Sequence, residues 1–274
     1  MYTKKQLTED LIRMHAPQDL PVMVHTSLHQ VGACEGRAEG VLEVLIDYFT
    51  KKGGLLIIPT HTWRNLGEPC AYTLDMTPEG REDVRLCIGV LPSIAAYHPL
   101  AHRSTHPTHS VAVFDGTPAG TPGQAEEYIR RDERADGTST HPDGCFGSLC
   151  ALGGKVLLLG VGQQNDTFIH AAEEILHVPH RLTESPRTLT VRLPDGTVIE
   201  KKQRCHDGVD SNRFRKFEPA FRHYGAITDG TFGGAKTQLC DARCMTDTLR
   251  LIMERAHYRE LLADDEPLDP ALYL

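Results

Sequence analysis

A histidine with polar neighbours at helical spacing is the feature of this sequence best suited to chemistry. In the segment GVGQQNDTFIHAAEE, residues 160–174, His170 follows Thr167 by three residues and precedes Glu173 by three. On a helix such residues lie near one face, so a hydroxyl, an imidazole and a carboxylate would meet. An imidazole supported by a carboxylate can act as a general base near neutral pH. The same spacing is also compatible with a histidine on a helix surface.

A second polar segment, CHDGVDSNRF at residues 205–214, could supply a further carboxylate. It contains His206, Asp207 and Asp210. A carboxylate from this segment could orient and charge-stabilise an imidazole that the fold brings close to it. Asp-Gly and Asp-Ser-Asn are also ordinary turn sequences, so these residues could simply form a turn.

Four further histidines in the segment HPLAHRSTHPTH, residues 98–109, raise the question of a metal site. Their spacings would bring them together on a helix, but Pro99 and Pro107 oppose a continuous helix there. The HExxH motif of zinc proteases is absent from the sequence. A zinc-dependent hydrolase stays open as an alternative, with ligands drawn from His98, His102, His106 and His109.

Several common ligand-binding motifs are missing from the sequence. There is no GxxxxGK[ST] phosphate loop, and the glycines at 160 and 162 lack the third glycine of the dinucleotide fingerprint. The GxSxG elbow of the serine hydrolases is also absent. These absences argue against a nucleotide-binding loop and against a serine nucleophile.

Composition argues against further classes of protein. The chain has 274 residues, with 29 Lys and Arg against 37 Asp and Glu, and a formal net charge of -8. Nucleic-acid binders usually carry a basic field, and no apolar run approaches a membrane span, so neither partner is expected. The polar first turn and eight scattered cysteines without a CxxC pair favour a cytoplasmic protein with reduced thiols. The negative charge also suits a cationic partner.

Alternating apolar segments predict an α/β layer that would position the candidate residues. Apolar runs predict strands at 21–28, 55–60, 109–115 and 155–162. Helical spacing predicts helices after Thr3 and at 41–49, 88–98, 166–176 and 245–258, and Pro-Asp-Gly predicts a hairpin over 187–204. Because a hairpin pairs antiparallel, the sheet should be mixed. His170 would follow the carboxyl end of a buried strand, where α/β folds commonly bind ligands.

Two long polar segments, residues 61–87 and 116–143, connect these elements. Long irregular segments in a compact domain are often binding loops, and the first of them holds Trp63, the only tryptophan. The acidic tail from Asp264 is expected to be loose. Because no repeat or clean linker is visible, residues 1–274 are expected to form one domain.

Five segments resemble the aminoglycoside 3-N-acetyltransferase family, also called the antibiotic N-acetyltransferases. In chain order they are VMVHTSLHQVG (22–32), GGLLIIPTHTW (53–63), HRSTHPTHSVAVFD (102–115), DGCFGSL (143–149) and KVLLLGVGQQNDTFIHAAE (155–173). The HPxxS segment at 106–110 and the Asn-x-Thr-x-x-His-x-x-Glu helix at 165–173 are the most specific of these. The resemblance extends from about residue 5 to residue 260.

The resemblance implies a mixed sheet flanked by helices, in an arrangement distinct from the GNAT acetyltransferases. It implies acetyl transfer from acetyl-CoA to an amine, with no metal ion. His170 would be the catalytic base, supported by an acidic residue after the hairpin, for which Asp207 is the best positional match and Asp210 the second. The Thr167 hydroxyl is a candidate donor to the oxyanion, and Glu173 shares the catalytic helix.

The resemblance also implies a coenzyme A site built from two segments. The loop after the first predicted strand would contact pantetheine and phosphate through Thr26, Ser27, Leu28, Val31 and Gly32. The second segment would contribute Ser104, Thr105, His106, Ser110 and Val111. Arg37 and Arg103 lie beside these segments and would bind phosphate groups. His29 departs from the family pattern, which often has a small residue at this position.

The acceptor implied by the resemblance is a cationic amine, a 2-deoxystreptamine aminoglycoside modified at its 3-amino group, and the implied role is antibiotic resistance. Its contacts are expected from Trp63, Asp75, Glu173 and Asp210, and from the acidic residues Glu79, Glu82, Asp83, Glu126 and Glu127 of the two long loops. A different amine substrate stays open, as does a module that binds CoA or sequesters an antibiotic without catalysis. The protein is expected to be a monomer or a homodimer.

Overall fold

The computed structural model describes residues 1–134, 137–207 and 211–274. The strands are β1 Pro21–Thr26, β2 Leu55–Pro59, β3 Leu74–Asp75, β4 His102–Arg103, β5 Val111–Phe114, β6 Lys155–Leu159, β7 Arg187–Arg192, β8 Val198–Gln203, β9 Ile227–Phe232 and β10 Ala235–Asp241. The helices are α1 Lys4–Arg13, α2 Leu28–Val31, α3 Arg37–Thr50, α4 Arg81–Ile88, α5 Val90–Ala96, α6 Gln124–Arg134, α7 Ser148–Ala151, α8 Phe168–Ile175, α9 Glu218–His223 and α10 Ala242–Arg255. Short 3-10 turns lie at Trp63–Leu66, Pro78–Gly80, Gln163–Asn165, Ser211–Phe217 and Pro270–Leu272.

Seven strands form the central sheet in the order β4-β5-β2-β1-β6-β10-β9. β1 pairs parallel with β2 and β6, whereas the other neighbours in this sheet pair antiparallel. Helices pack on both faces of the sheet. The expected mixed α/β architecture is therefore confirmed.

The carboxyl ends of three parallel strands lie at one edge of this sheet. Thr26 at the end of β1 pairs with Leu159 at the end of β6, and β2 runs beside them in the same direction. The loops that follow β1, β2 and β6 therefore emerge together. Such an edge is where open α/β sheets usually form their ligand crevices.

Alternation along the central strands divides the apolar core into two clusters. Met23, Ile57 and Leu158 face the cluster that contains α8 and α10, while Val24 and Leu157 face the cluster that contains α1 and α3. Successive side chains of a strand point to opposite faces, so these apolar runs belong to strands that are covered on both sides. Full burial of one such Leu or Ile contributes about 2 kcal/mol to folding.

The predicted hairpin and N-terminal helix are present. β7 pairs antiparallel with β8, and both parts of the capping box at Thr3 and Gln6 form. The segment 61–87 is less irregular than expected, because it contains β3, which pairs with β7, and the eight-residue helix α4. Elements this short leave little periodicity in a sequence.

The C-terminal tail differs from expectation. Leu268 and Leu272 are buried in the same cluster as α10, so the tail packs onto the body of the protein. The acidic residues at 264–266 concealed this, because the anchoring leucines come after them. The prediction of a loose tail was wrong.

The eight cysteines are all free thiols within the described chain. Cys240 lies on β10 and Cys244 on α10. Among the described helices, none has the length and apolar character needed to cross a bilayer.

Candidate active site

His170 lies on α8, directly after the loop that leaves the carboxyl end of β6. Asp166 stabilises the start of α8, since its Oδ1 accepts a hydrogen bond of 2.9 Å from the amide of Phe168. The apolar face of α8, including Phe168 and Ile169, is fully buried and packs toward α10. This burial fixes the helix and leaves His170 at the wall of a cavity of about 460 Å³.

Loops after several strands line this cavity. Thr26 comes from the end of β1, His61 and Trp63 follow β2, and His206 follows β8. The cavity therefore lies at the sheet edge that the sequence predicted for ligand binding. Thr167 also lines it, one turn before His170 on the same side.

A continuous array of imidazole rings forms one wall of the site. His170 stacks on His206 with ring centroids 4.1 Å apart and an interplanar angle of 21°. The array continues from His206 to His109 at 5.2 Å and from His109 to His61 at 4.6 Å, and His106 lies 5.9 Å from His109. Neighbouring imidazolium ions would repel one another, so the arrangement disfavours a positive charge on His61, His109 and His170.

Burial reinforces this neutrality. It drives the pKa of His170 well below its ordinary value, and the nearby His206, His61 and Arg181 lower that pKa further. Burial lowers the pKa values of His61 and His109 in the same way. A neutral imidazole has a free nitrogen lone pair, which is the form that accepts a proton. His170 is therefore ready to act as a base.

Glu173 is the carboxylate that contacts His170. Its Oε2 lies 3.8 Å from His170 Nδ1, and its side chain is 1% exposed. Arg181 Nε lies 2.9 Å from Glu173 Oε1, so the two buried side chains form an ion pair. Burial raises the pKa of Glu173 to about 7, against the lowering influence of Arg181.

Glu174, the next residue, faces a different environment. It accepts hydrogen bonds from Thr140 N at 2.9 Å, Thr140 Oγ1 at 2.6 Å and Thr138 Oγ1 at 2.5 Å. Burial acts to raise its pKa, but these bonds and His206 outweigh burial and hold the pKa below its ordinary value. Thr140 Oγ1 also lies 3.1 Å from His206 Nε2. Because this hydroxyl already donates to Glu174, the His206 nitrogen is the donor in that pair.

The carboxylates implied by the family resemblance have other positions. Asp207 is exposed, and its amide donates to Arg181 O at 3.1 Å. Within the described ranges, its carboxylate has no contact with His170, whereas Glu173 Oε2 lies 3.8 Å from His170 Nδ1. Asp210 lies outside the described residues.

The first predicted coenzyme A segment borders the cavity. Thr26 lines it, and the Thr26 hydroxyl is buried with no hydrogen-bond partner in the described structure. Ser27, Leu28 and Val31 continue from it into α2, which ends at Gly32 with a positive φ of 85°. Arg37 begins α3 and is exposed.

The second predicted segment forms a buried hairpin. Ser104 N donates to Val111 O at 2.9 Å, and the Ser110 hydroxyl donates to Thr60 O at 2.8 Å. His106 Nδ1 accepts a hydrogen bond from the amide of His109, which closes the turn that follows Thr105. These contacts give the segment a structural role beside the cavity.

Arg103 in this hairpin is buried with unsatisfied donors. Its guanidinium lies 5.1 Å from the centre of the Tyr97 ring, and its Nη2 lies 3.5 Å from Ser110 Oγ. Its Nε and Nη1 have no hydrogen-bond partner in the described structure. Unsatisfied buried donors of this kind are compatible with an anionic ligand.

The predicted acceptor contacts divide into two groups. Trp63 lines the cavity and is 46% exposed. Asp75 is buried, accepts the amide of Thr77 at 2.9 Å and pairs with Arg192 at 3.3 Å. The other acidic loop residues also have internal partners: Glu79 with Arg192, Glu82 with Arg85, Asp83 with Asn65, Glu126 with Arg130 and His102, and Glu127 with Arg134.

Among the described residues that line the cavity, Asp166 is the one with a carboxylate side chain. Its Oδ2 is buried without a hydrogen bond, and burial raises its pKa to about 7 despite the bond from the Phe168 amide. Its Oδ1 bonds to the first residue of α8, while Thr167 is the N-cap residue of that helix.

The four histidines considered for zinc do not converge. The His98 ring packs against Phe114 at 5.7 Å, and His102 contacts Glu126. Throughout the residues that the structure describes, no group of three or more His, Cys, Asp or Glu side chains is placed to hold a metal ion. This geometry gives the zinc alternative no support.

Sequence reasoning missed several residues of the site. His61 follows the predicted strand at 55–60 directly, so its position at the carboxyl edge could have been found. His109 was considered only as a metal ligand. No sequence signal points to Arg181, whose partners Glu173 and Glu260 come from different parts of the chain.

The chain is similar in sequence to aminoglycoside acetyltransferases. A family model described as aminoglycoside 3-N-acetyltransferase matches residues 23–254. Aminoglycoside N(3)-acetyltransferase VII of Streptomyces paromomycinus is 27% identical over 273 residues, which cover 89% of this chain and 89% of the relative. Aminoglycoside N(3)-acetyltransferase IV of a Salmonella species is 30% identical over 249 residues, which cover 90% of this chain and 85% of the relative.

Solved structures agree with the sequence comparison. The apoenzyme of aminoglycoside acetyltransferase AAC(3)-IVa superposes with a TM-score of 0.70 and 25% identity, over 100% of this chain and 91% of that one. A binary complex of AAC-IIIb with CoASH gives a TM-score of 0.71 at 22% identity, over 93% of this chain and 97% of that one, and shows the shared fold. The resemblance and the fold class expected from the sequence are confirmed.

Proposed function

Because the chain belongs to the aminoglycoside 3-N-acetyltransferase family and is an acyltransferase, we propose that it transfers acetyl from acetyl-CoA to the 3-amino group of a 2-deoxystreptamine aminoglycoside. The observation that carries this proposal is His170, a neutral imidazole on the wall of a cavity of about 460 Å³, with Glu173 Oε2 at 3.8 Å from its Nδ1. A proton acceptor backed by a carboxylate is what amine acylation requires. The proposed biological role is antibiotic resistance.

His170 would take the proton that the attacking amine must lose. An amine near pH 7 is mostly protonated, and its ammonium form has no lone pair with which to attack a carbonyl. Glu173, when ionised, would stabilise the imidazolium that forms. Acetyl-CoA would supply an activated acetyl thioester whose thiolate leaves, so this route needs neither a covalent enzyme intermediate nor a metal ion.

The developing negative charge on the acetyl oxygen needs hydrogen-bond donors. The Thr167 hydroxyl lines the cavity near His170, and it makes no capping bond to its helix, so it is a candidate donor. Backbone amides of the loop at 160–165 are further candidates. Glu173 is our first choice for the carboxylate that supports His170. Asp207 and Asp210 are the alternatives for this role.

Coenzyme A would bind along the two predicted segments. The unpartnered Thr26 hydroxyl in the cavity fits the amide groups of pantetheine, and the unsatisfied Arg103 donors fit an anionic group. Ser27, Leu28, Val31 and Gly32 would contribute from the first segment, and Ser104, Thr105, His106, Ser110 and Val111 from the second. Arg37, which is exposed, would meet a phosphate at the periphery.

The acceptor would enter beside Trp63. Asp166 supports recognition of a cation, because a bound ammonium group would ionise its buried carboxyl. A structure of an AAC(3)-IVa histidine-to-alanine variant in complex with a gentamicin supports this class of acceptor for a relative. Asp75 and Asp210 would contribute contacts if the acceptor reorganises the surrounding loops.

A second candidate is acetyl transfer to a less cationic amine. The acidic loop residues are paired with arginines, asparagine or histidine of the same chain, so they are not free to receive a polycation without rearrangement. This observation favours an acceptor that relies on Asp166 and the apolar wall around Trp63.

Thiol release from acetyl-CoA tests both candidates. The full-length chain would be assayed with gentamicin-like aminoglycosides and, in parallel, with simple primary amines of one positive charge. Turnover of aminoglycosides is expected, and mass spectrometry of the product should show a single added acetyl group. CoA binding with no aminoglycoside turnover, together with turnover of a monoamine, would favour the second candidate.

The assay also separates catalysis from sequestration. If the protein only binds the antibiotic, a His170→Ala variant would protect bacterial cells as well as the wild type does. Loss of both turnover and protection in this variant would agree with catalysis.

A further inference from the structure

A row of charged side chains connects His170 with the protein surface. Glu173 contacts His170, Arg181 lies 2.9 Å from Glu173, and Arg181 Nη2 donates to Glu260 Oε1 at 2.7 Å. Exposure increases along the row, from 1% for the side chain of Glu173 to 8% for Arg181 and 41% for Glu260. The outermost member is therefore in contact with solvent, while the innermost is enclosed.

The charge of Glu173 depends on this row, because no hydrogen bond offsets the cost of burying its carboxylate. Neither of its carboxylate oxygens accepts a hydrogen bond within the described structure. A buried carboxylate without hydrogen bonds is expensive to ionise unless a cation lies near it. The Arg181 guanidinium is the cation in contact with it, so the charge of Glu173 rests on Arg181.

Glu260 is held in place by the segment that follows α10. Its Oε1 also accepts the amide of Leu262 at 2.7 Å, and the side chains of Leu261 and Leu262 are buried. On the other side, the Arg181 carbonyl accepts the amide of Asp207, next to His206. Arg181 is thus fixed between the C-terminal segment and the segment that follows β8.

We propose that Arg181 and Glu260 are positioning residues that set the charge of Glu173, and through it the ability of His170 to accept the proton of the acceptor amine. Arg181 lowers the pKa of Glu173, which burial raises to about 7, and so enlarges the ionised fraction of Glu173 near neutral pH. Glu260 also pairs with the Arg181 guanidinium, and its negative charge weakens the stabilisation that Arg181 gives to ionised Glu173. The inference rests on the proposed acetyl transfer, and it assigns a part in that reaction to residues remote from the cavity.

Several charged and titratable groups of the described residues surround Glu173 and His170. Glu173 faces Arg181, Glu260 and its own neighbours Glu174 and His170. His170 faces His206, His61 and Arg181, and it also interacts with His109. Outside the row, His180 acts on Glu260. Of these groups, Arg181 and Glu260 lie outside the imidazole array, and Arg181 also lowers the pKa of His170 directly.

Two substitutions should move the pH profile of kcat/KM in opposite directions. In Arg181→Met, burial of Glu173 is unopposed and its pKa rises, so the acidic limb should shift to higher pH by about one unit. In Glu260→Gln, Glu173 loses a nearby negative charge and Arg181 is no longer shared. The pKa of Glu173 should then fall, and the acidic limb should shift to lower pH by about half a unit.

Two further variants provide the controls. One is Arg181→Lys, and the other changes Arg213 in a separate ion pair of the same C-terminal segment. Lysine keeps the positive charge and should restore most of the wild-type pH profile. Arg213 pairs with Asp265 at 3.3 Å and ties the same C-terminal segment to the body without contacting Glu173. Arg213→Met should therefore leave the pH profile unchanged.

A carboxylate titration makes the test independent of turnover. Carbon-13 labelling of glutamate side chains in the full-length protein, with Glu173→Gln to assign the signal, would follow Glu173 directly by NMR. Opposite displacements of its midpoint in Arg181→Met and Glu260→Gln would support the inference, even if the acceptor proves not to be an aminoglycoside. Equal losses of activity in both variants with an unmoved Glu173 midpoint would overturn it.

Discussion

The two consecutive glutamates of α8 have opposite environments, since Glu173 faces His170 and Glu174 faces His206. Glu174 accepts three hydrogen bonds from Thr138 and Thr140, whereas Glu173 accepts none within the described residues and faces Arg181. The pKa of Glu174 is accordingly held below its ordinary value, while burial raises that of Glu173 to about 7. Glu174 therefore stays ionised and belongs to the hydrogen-bonded framework of the fold. Glu173 has a pKa near neutrality, so its charge can change.

This contrast teaches how a single helix can serve folding and chemistry at once. A hydrogen-bonded carboxylate stabilises the fold and keeps its charge over a wide range of pH. A buried carboxylate without hydrogen bonds weakens the fold, but it responds strongly to a new charge beside it, such as an imidazolium. The two roles can be separated by experiment.

The largest effect on turnover is expected at His170, the ring that Glu173 contacts. Replacement His170→Ala removes the proton acceptor, so kcat should fall by roughly 100-fold or more. The affinity for CoA, measured by calorimetry, should change little. A variant that keeps wild-type turnover would show that the reaction does not use this imidazole.

Glu173→Gln should separate activity from stability. Loss of the charge that supports the imidazolium should lower kcat by about 10-fold or more. Stability should instead rise by about 1 kcal/mol or more above about pH 7, because a carboxyl whose pKa is raised in the folded state opposes folding once it ionises. Below about pH 4.5 both states are protonated, and the gain should vanish. Urea unfolding at several pH values measures it.

Asp207→Asn is the matched control for Glu173→Gln. Asp207 is exposed and lies beside His206 in sequence, so its loss should change turnover by less than about 3-fold. A damaging Asp207→Asn with a silent Glu173→Gln would return the supporting role to Asp207, as the family resemblance implies.

Glu174→Gln should show the reverse of Glu173→Gln. The anion loses its charged hydrogen bonds to Thr138 and Thr140, and stability near neutral pH should fall by about 2 kcal/mol. This contribution should disappear as the pH falls through the lowered pKa of Glu174, since its stabilisation exists only while the carboxylate is ionised. Turnover per folded molecule should be reduced far less than in Glu173→Gln, and an equal reduction would contradict the division of roles.

The smallest expected effect is at His206. His206→Phe keeps a ring stacked on His170 and removes the neighbouring imidazole that helps to lower the pKa of His170. That pKa should rise, and the acidic limb of the pH profile should move to higher pH by less than about one unit. An unchanged profile would show that His206 contributes packing alone.

The central elements of this fold could be predicted because their signals are local. The apolar run ending at Leu159, the capping segment and the spacing of Thr167, His170 and Glu173 all lie within 20 residues. Periodicity and capping rules act over such distances. The strand, the helix and the histidine at the sheet edge follow from them.

The remaining features of the site depend on contacts that local rules do not describe. Arg181 and Glu260 are 79 residues apart, and Thr140 and Glu174 are 34 apart. The distinction between Glu173 and Glu174 is decided by these distant partners and not by helical spacing. The acidic loop residues were expected to face an acceptor, but Arg192 on β7 pairs with two of them.

The imidazole array has a consequence for the whole molecule when the surroundings become acidic. His25, His61, His109 and His170 all have lowered pKa values because they are buried, so the folded protein leaves them unprotonated where an unfolded chain would bind protons. Below about pH 6.5 unfolding is therefore accompanied by proton uptake at these four rings, which lowers the stability of the fold as the pH falls. The raised pKa values of Asp166 and Glu173 act in the opposite direction and offset part of this loss. The burial that keeps the proposed catalytic base unprotonated near neutrality thus also makes the fold sensitive to acid.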